Sequence, residues 1–265
     1  MRPIEPADLL ARLLPQRLRW FTEVRALLLG EDVRCHENDA GDCFAMEWHY
    51  PYGPFVSLLG REGPPLDRAF CREILGQFPQ ADGAFVLPPD VPPPKACPFA
   101  KDGWNGLTFG TAYRCFAGKP SADLGAPEAP ADPRIRPLAG EEHALLLPFT
   151  RHPAELEEPG LEVLAWFEGG RLCGHIRFAP AAADIWDVGL IHTLPEHRGR
   201  GIATALARAY RQTIRARGLT PYYSGVSNPH SARAARKAGF SPCCARYAFQ
   251  WKRPHTQALP RQKSS

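Results

Sequence analysis

The chain has 265 residues, 44% hydrophobic and 23% charged, a composition that fits a globular protein able to bury about three quarters of its unfolded surface. It contains no run of 18 apolar residues, so no membrane-spanning helix is expected, and Arg2, Glu5, Asp8 and Arg12 interrupt the N-terminal positions that a secretory leader would keep apolar. Its eight cysteines have no CxxC spacing and no histidines at zinc-finger distance, which argues against a disulfide framework or a structural metal and for a cytoplasmic protein.

Asp8–Leu29 predicts two helical pieces broken at Pro15, with Leu18, Phe21, Val24, Leu27 and Leu28 on one stripe and Gly30 as the stop. Strands are expected at Phe44–His49 and Phe55–Leu59, joined through the turn Pro51-Tyr-Gly-Pro54. A helix over Leu66–Phe78 follows, then strands at Ala84–Leu87 and Leu107–Phe116, with the proline-rich Pro88–Pro98 as an irregular loop. Residues 1–116 therefore read as a smaller α/β domain. Its aromatic residues Trp48, Tyr50, Tyr52 and Phe55 fit core and turn packing better than an acceptor pocket. Ala117–Pro133, rich in Ala, Pro, Gly and Asp, is the expected linker.

The second domain, 134–252, opens with a short strand at Arg134–Pro137 and a helix at Glu141–Phe149. Leu161–Phe167 and Leu172–Ala179 form a hairpin through Glu168-Gly-Gly170. Ile185–Thr193 is a β-branched and aromatic strand closed by Pro195. The helix from Ile202 keeps Leu206, Ala209, Tyr210, Thr213 and Ile214 on its apolar stripe, turns Arg208, Arg211 and Arg215 elsewhere, and stops at Gly218. Pro221–Val226 is the next strand, Asn228-Pro229 caps a helix that ends at Gly239, Tyr247–Trp251 is the last strand, and Arg253–Ser265 is a polar tail.

Between the strand at 185–193 and its helix lies Arg198-Gly199-Arg200-Gly201-Ile202-Ala203. The first turn of a helix has unpaired N–H groups and the positive end of the dipole, so a phosphate can settle there; the two glycines admit it and the two arginines add charge. No GxxxxGK[ST] loop is present. Gly199-x-Gly201 is half of a dinucleotide fingerprint, but Thr204 takes the third small position, and no Asp or Glu follows Glu196 to hold a ribose, which argues against a nicotinamide cofactor.

The first 196 residues hold 18 basic and 28 acidic side chains, while the last 69 hold fourteen basic ones and none acidic. A field of that sign attracts a polyanion, either nucleic acid or a small ligand with several phosphates. No helix-turn-helix, RNP or zinc signature accompanies it, so nucleic acid is the less favoured partner.

Arg198-x-x-Gly201-x-Ala203, after a strand and opening a helix, resembles the acyl-CoA signature of the GNAT superfamily of N-acetyltransferases. Asn228-Pro-His-Ser231 followed by Lys237-Ala-Gly239-Phe240 is similar to that family's N-x-x-S/A…K-x-G-F element. His192-Thr-Leu-Pro-Glu-His-Arg-Gly199 is similar to a bacterial branch of it. The resemblance spans about Arg134–Trp251. It implies an α/β fold with a mixed, splayed β-sheet and flanking helices, preceded by an N-terminal domain that can be a degenerate GNAT-like half. It implies acetyl-CoA as co-substrate, with no metal. Gly199, Arg200, Gly201, Ile202, Ala203 and Thr204 would hold the pyrophosphate with Arg198. The backbone at Ile191, His192 and Thr193 would meet the pantetheine arm and thioester. Asn228 and Ser231 would complete the coenzyme site, and Arg233, Arg236 or Lys237 would reach the 3′-phosphate. The acceptor would be a small-molecule amine, and a homodimer is compatible.

Transfer to an amine needs a base beside the thioester. Eleven residues before Arg198, where some members carry a glutamate, stands Asp187. Simple alternation puts Asp187 on the face of Gly189, Ile191 and Thr193 and turns His192, the second candidate, to the opposite face. The tyrosine that protonates the leaving thiolate in many members is replaced by Ala235, with Tyr222, Tyr223 or a water as substitutes. Direct transfer in a ternary complex is expected, since no cysteine lies in the acyl-binding motif. Competing readings are a CoA-binding or interaction module with weakened chemistry, and a nucleic-acid-binding protein.

Overall fold

In a computed structural model, residues 1–28, 32–50, 53–60, 67–78, 82–87, 107–118, 132–150, 153–157 and 159–251 are described. The loop at 88–98, Gly30, Tyr52, most of the linker at 117–133 and the tail at 253–265 lie outside them. The first half runs β1 (Arg2–Pro3), α1 (Pro6–Leu13), α2 (Phe21–Leu28), β2 (Val33–Glu37), β3 (Cys43–Tyr50), β4 (Gly53–Gly60), α3 (Arg68–Gln77) and β5 (Asp82–Leu87). Then come β6 (Leu107–Gly118), β7 (Ile135–Pro137), β8 (Glu162–Glu168), β9 (Arg171–Ala182), β10 (Ile185–Thr193), α4 (Ile202–Ala216), β11 (Thr220–Val226), α5 (Pro229–Lys237) and β12 (Phe240–Trp251).

Several expected elements change form. Glu141–Phe149 is not an α-helix: Gly140–Phe149 winds as 3-10 turns, with Pro148 unable to donate in the last of them. β2 escaped the pattern because one of its inward residues is Glu37, 4% exposed, which pairs with Arg2 (2.9 Å) and Arg12 (2.5 Å). The last strand starts at Phe240, seven residues before the expected Tyr247, since Pro242 hides its beginning. Arg215 is buried despite its place off the apolar stripe.

By internal contacts the chain forms two units, Met1–Ala112 with Cys244–Ser265, and Tyr113–Cys243. In the first, β1, β2, β3 and β4 pair antiparallel in sequence, β4 pairs parallel with β5, and Ala245–Phe249 of β12 pairs with Gly83–Leu87 of β5. The second repeats that wiring. β7, β8, β9 and β10 are antiparallel neighbours, β10 is parallel to β11, and the outer antiparallel partner of β11 is β6. Each unit is thus a meander followed by a parallel crossover through a helix (α3 or α4), and each takes its sixth strand from the far end of the other sequence half. This mixed α/β sheet with flanking helices is the expected fold.

One feature separates the halves. β4 and β5 stay paired from Phe55↔Asp82 to Leu59↔Val86. β10 and β11 pair only at Ile185↔Thr220, Trp186↔Pro221 and Asp187↔Tyr222, whereas β10 continues along β9 to Thr193↔Gly174. The second sheet therefore splays, and one edge of β10 beyond Asp187 has no strand partner among the described residues.

The cores follow the apolar patterns. Phe70, Cys71, Ile74 and Leu75 of α3 pack with Val56, Leu58 and Phe85. Ile202, Leu206, Ala209, Tyr210 and Ile214 of α4 pack with Ile176, Phe178 and Val188. Trp48 is 2% exposed, in the core, with its ring 5.2 Å from that of the half-buried Phe55. Cys35, Cys43, Cys71, Cys115, Cys173 and Cys244 are buried, and Cys243 is half-buried. No helix among the described residues is long and apolar enough to cross a membrane.

Candidate functional site

The splay is held open by specific groups at its apex. The Tyr210 hydroxyl, rising from α4, lies 2.5 Å from the Trp186 carbonyl and 3.0 Å from that of Tyr222, and accepts the Tyr222 amide at 3.2 Å. It gives the parting strands partners that they no longer give each other. Asp187 spans the same point: its Oδ1 accepts the Ser224 amide at 2.9 Å and its Oδ2 the Ser224 hydroxyl at 2.5 Å.

β10 is bulged. Val188 faces Phe178 and Leu190 faces Arg177, which leaves Gly189 as an extra residue. A one-residue bulge reverses the facing of every later side chain. Val188, Ile176, Phe178 and Ile191 accordingly share the α4 core, and the cross-strand partners put Asp187, Leu190 and His192 on the other face with Ala179, Arg177 and His175. The alternation expected from sequence is corrected here: Asp187 does not share a face with Ile191 and Thr193, and it does share one with His192.

Beyond β10, a 3-10 turn at Pro195–His197 leads to Gly199 and Gly201, at φ 77° and 83°. Gly201 is the N-cap of α4 and offers no capping side chain, and a Cβ at either glycine would meet nothing within 4 Å. The first intrahelical bond is Ala205 N–H to Gly201 O (3.0 Å), which leaves the amides of Ile202, Ala203 and Thr204 at an uncapped helix start. The Arg198 Nε donates to Thr193 O at 3.2 Å and ties the loop to the strand end.

A cavity of about 730 Å³ runs from this helix start along β10. It is lined by Ile191, His192, Thr193, Arg198, Gly199, Gly201, Ile202, Ala203, Thr204, Asn228 and Ser231, and also by His197, His230, Arg233, Ala234 and Lys237. Three expected residues lie outside its lining. Arg200 turns away to Glu168 (2.9 Å) and the His197 ring (2.9 Å), Arg236 lies over the Phe116 ring (5.5 Å), and Asp187 sits at the apex. The Asn228 Oδ1 caps α5 by accepting the Ser231 amide at 2.7 Å. His197 and His230 escaped sequence reasoning because neither occupies a motif position; only their adjacency to the loop and to Asn228 signalled them.

Ala235 is fully buried. Of the substitute acids, Tyr222 is in the core, while the Tyr223 hydroxyl donates to Ser231 Oγ at 3.4 Å, beside the cavity. Burial, then the charge of Asp187, pushes the Tyr223 phenol above its ordinary pKa. Glu168, Cys173 and His197 bring three metal-ligating atoms within 4.8 Å of one another, but the Glu168 carboxylate already accepts from Trp166 and Arg200. A cation there would have to displace a guanidinium.

The corresponding place in the first unit is closed. The N-cap of α3 is Asp67, whose Oδ1 accepts the Ala69 and Phe70 amides at 3.0 and 3.1 Å. The Asn38 amide, then those helix bonds, hold this carboxyl below its ordinary pKa. A fixed anion thus occupies the helix start that α4 leaves open.

A splayed parallel strand pair, an uncapped helix start and cationic side chains thus meet on one cavity of an α/β fold. Residues 132–240 match the model of the Acetyltransferase (GNAT) family, and this segment is a GNAT acetyltransferase domain. Three solved structures are similar across nearly the whole chain. The GCN5-related N-acetyltransferase from Sphaerobacter thermophilus is 15% identical, with 97% of this chain and 96% of that one covered and a TM-score of 0.60. An acetyltransferase from the GNAT family from Colwellia psychrerythraea is 16% identical (95% and 99% covered, TM-score 0.51), and the GCN5-related N-acetyltransferase from Kribbella flavida 17% (94% and 96%, 0.50). At these identities the likeness is one of fold. No curated protein matches the chain.

Proposed function

We propose that the protein is an acyl-CoA-dependent N-acetyltransferase that moves an acetyl group from acetyl-CoA to a primary amine, by direct transfer in a ternary complex. The observation that carries this reading is the uncapped start of α4 opening into a cavity that continues along the unpaired edge of β10.

The residues present fit the coenzyme. The amides of 202–204 and the Arg198 guanidinium match a diphosphate, and Arg233 and Lys237 supply charge for a further phosphate. The free edge at Ile191–Thr193 suits the amide-bearing pantetheine arm, because a strand edge offers alternating donors and acceptors. Acetyl-CoA supplies the activated acyl group. Backbone N–H groups near Ile191 polarise its carbonyl, which is where charge accumulates in the transition state. Asp187 acts as the base, receiving through water the proton that the acceptor's ammonium must lose before its nitrogen can attack.

The tests are calorimetry with acetyl-CoA and a transfer screen with free thiol as the readout, over L-amino acids, spermidine, phenethylamine, kanamycin and a peptide N-terminus. Saturable binding and thiol release with at least one amine are expected. Binding without transfer would favour an interaction module that has lost its chemistry.

A further inference from the structure

On the face of β10 that carries Asp187, three rings meet. Phe149, from the end of the 3-10 segment, lies 5.1 Å from the His192 ring and 5.7 Å from that of His175. The two imidazoles are cross-strand partners 5.7 Å apart and inclined by only 10°. His175 is 1% exposed, and the Nε2 atoms of both histidines are buried with no hydrogen-bond partner. A buried polar atom left unpaired loses its hydration with nothing in return, so it is tolerated most readily where a ligand supplies the missing partner. Of the pair, His192 is the one that lines the cavity, between Ile191 and Thr193.

We infer that His192 is a catalytic residue that carries one proton from the acceptor nitrogen to the coenzyme sulfur. This rests on the acetyl-transfer reading and adds the acid that the alanine at position 235 leaves missing. Attack of the amine lone pair on the thioester carbon gives an adduct with an oxyanion and a positively charged nitrogen. The Nε2 of His192 takes the N–H proton from that nitrogen. The carbonyl re-forms as the C–S bond breaks, and the imidazolium returns the same proton to the departing thiolate. The products are an amide and a neutral thiol, with His192 neutral again and no other reactant consumed.

The surroundings suit a ring that must start and finish uncharged. Burial, then Arg198, holds the His192 pKa below its ordinary value, so the ring is neutral at pH 7 and its imidazolium is a good acid toward a thiolate. Burial, then His192 and Arg177, drives His175 down to about 3, so it stays neutral while its neighbour cycles. The titratable and charged groups facing His192 are His175 and Arg177 from β9, Arg198 from the loop and, further along the same face of β10, Asp187.

The experiment uses the full chain with acetyl-CoA and whichever amine of the screen wild type acetylates. His192→Gln, close in size and still polar, should lower kcat about 10²–10⁴-fold with the acetyl-CoA Kd unchanged, and should remove the acid limb of the kcat–pH profile. Added imidazole should restore part of the activity of His192→Ala. Independently of any acceptor, the ring ¹⁵N signals of His192 in wild type should shift when CoA binds. Retained kcat in His192→Gln, loss of turnover in Tyr223→Phe alone, or ¹⁵N signals indifferent to CoA would each overturn this role and leave the acetyl-transfer reading standing. Failure of wild type to bind acetyl-CoA would overturn both.

Discussion

Gly201 is the position at which the coenzyme assignment can be broken most cleanly. Its φ of 83° lies in the left-handed region, and a Cβ there meets nothing within 4 Å. Any substitution therefore pays backbone strain, about 1–2 kcal/mol, and no steric clash. Gly201→Ala has that strain alone. Gly201→Glu adds a carboxylate at the start of α4, where it competes with a diphosphate for the amides of 202–204 and recovers about 0.3–1 kcal/mol of its strain from the helix dipole. Wild type at acetyl-CoA a hundredfold above Kd should gain about 2.7 kcal/mol against unfolding. Gly201→Ala should be less stable but keep most of that gain, whereas Gly201→Glu should lose it. Denaturant titration of the three proteins, with and without ligand, separates strain from binding. A full ligand-induced gain in Gly201→Glu would refute the placement of the diphosphate at this helix.

Calorimetry should give one acetyl-CoA per chain, since Asp67 caps the equivalent helix of the first unit and β4 and β5 do not part; a stoichiometry of two would contradict this. Asp187→Asn should cut turnover about 10²–10⁴-fold with coenzyme binding retained, and unchanged turnover would move the base elsewhere. Tyr210→Phe should destabilise the second unit by about 1–3 kcal/mol in guanidinium titrations, because the backbone groups of Trp186 and Tyr222 lose a buried partner. His175 binds a proton near pH 6.5 when unfolded and only near 3 when folded, so between those values it makes stability rise with pH by up to about 1.4 kcal/mol per unit. His175→Phe should flatten that part of the pH–stability curve, and an unchanged slope would show that the ring protonates freely in the folded protein.

The chain's charge asymmetry shows how far sequence and structure can part. The last 69 residues carry no acid, yet their arginines are met by carboxylates from earlier segments: Arg200 by Glu168, Arg217 by Glu162, and Arg246 by the fully buried Glu23. Three cations of the basic block are paired in this way, and those that line the cavity are Arg198, Arg233 and Lys237.

Local physics determined a good deal without tertiary information. Helix and strand periods located most elements, because an apolar face must repeat every 3.6 or 2 residues to be buried. The glycine turn with its flanking arginines located the helix start that the cavity opens on, because a phosphate-binding turn needs missing Cβ atoms and free amides within a few adjacent residues. What the chain alone could not fix depends on partners far away in sequence. The bulge at Gly189, which puts Asp187 and His192 on one face, exists only in register with β9. The exchange of β6 and β12 between halves depends on strand pairing across more than 100 residues. The unpaired Nε2 of His192 is visible only once His175 and Phe149 have closed around it, since burial belongs to the packed assembly of strands and not to any one of them.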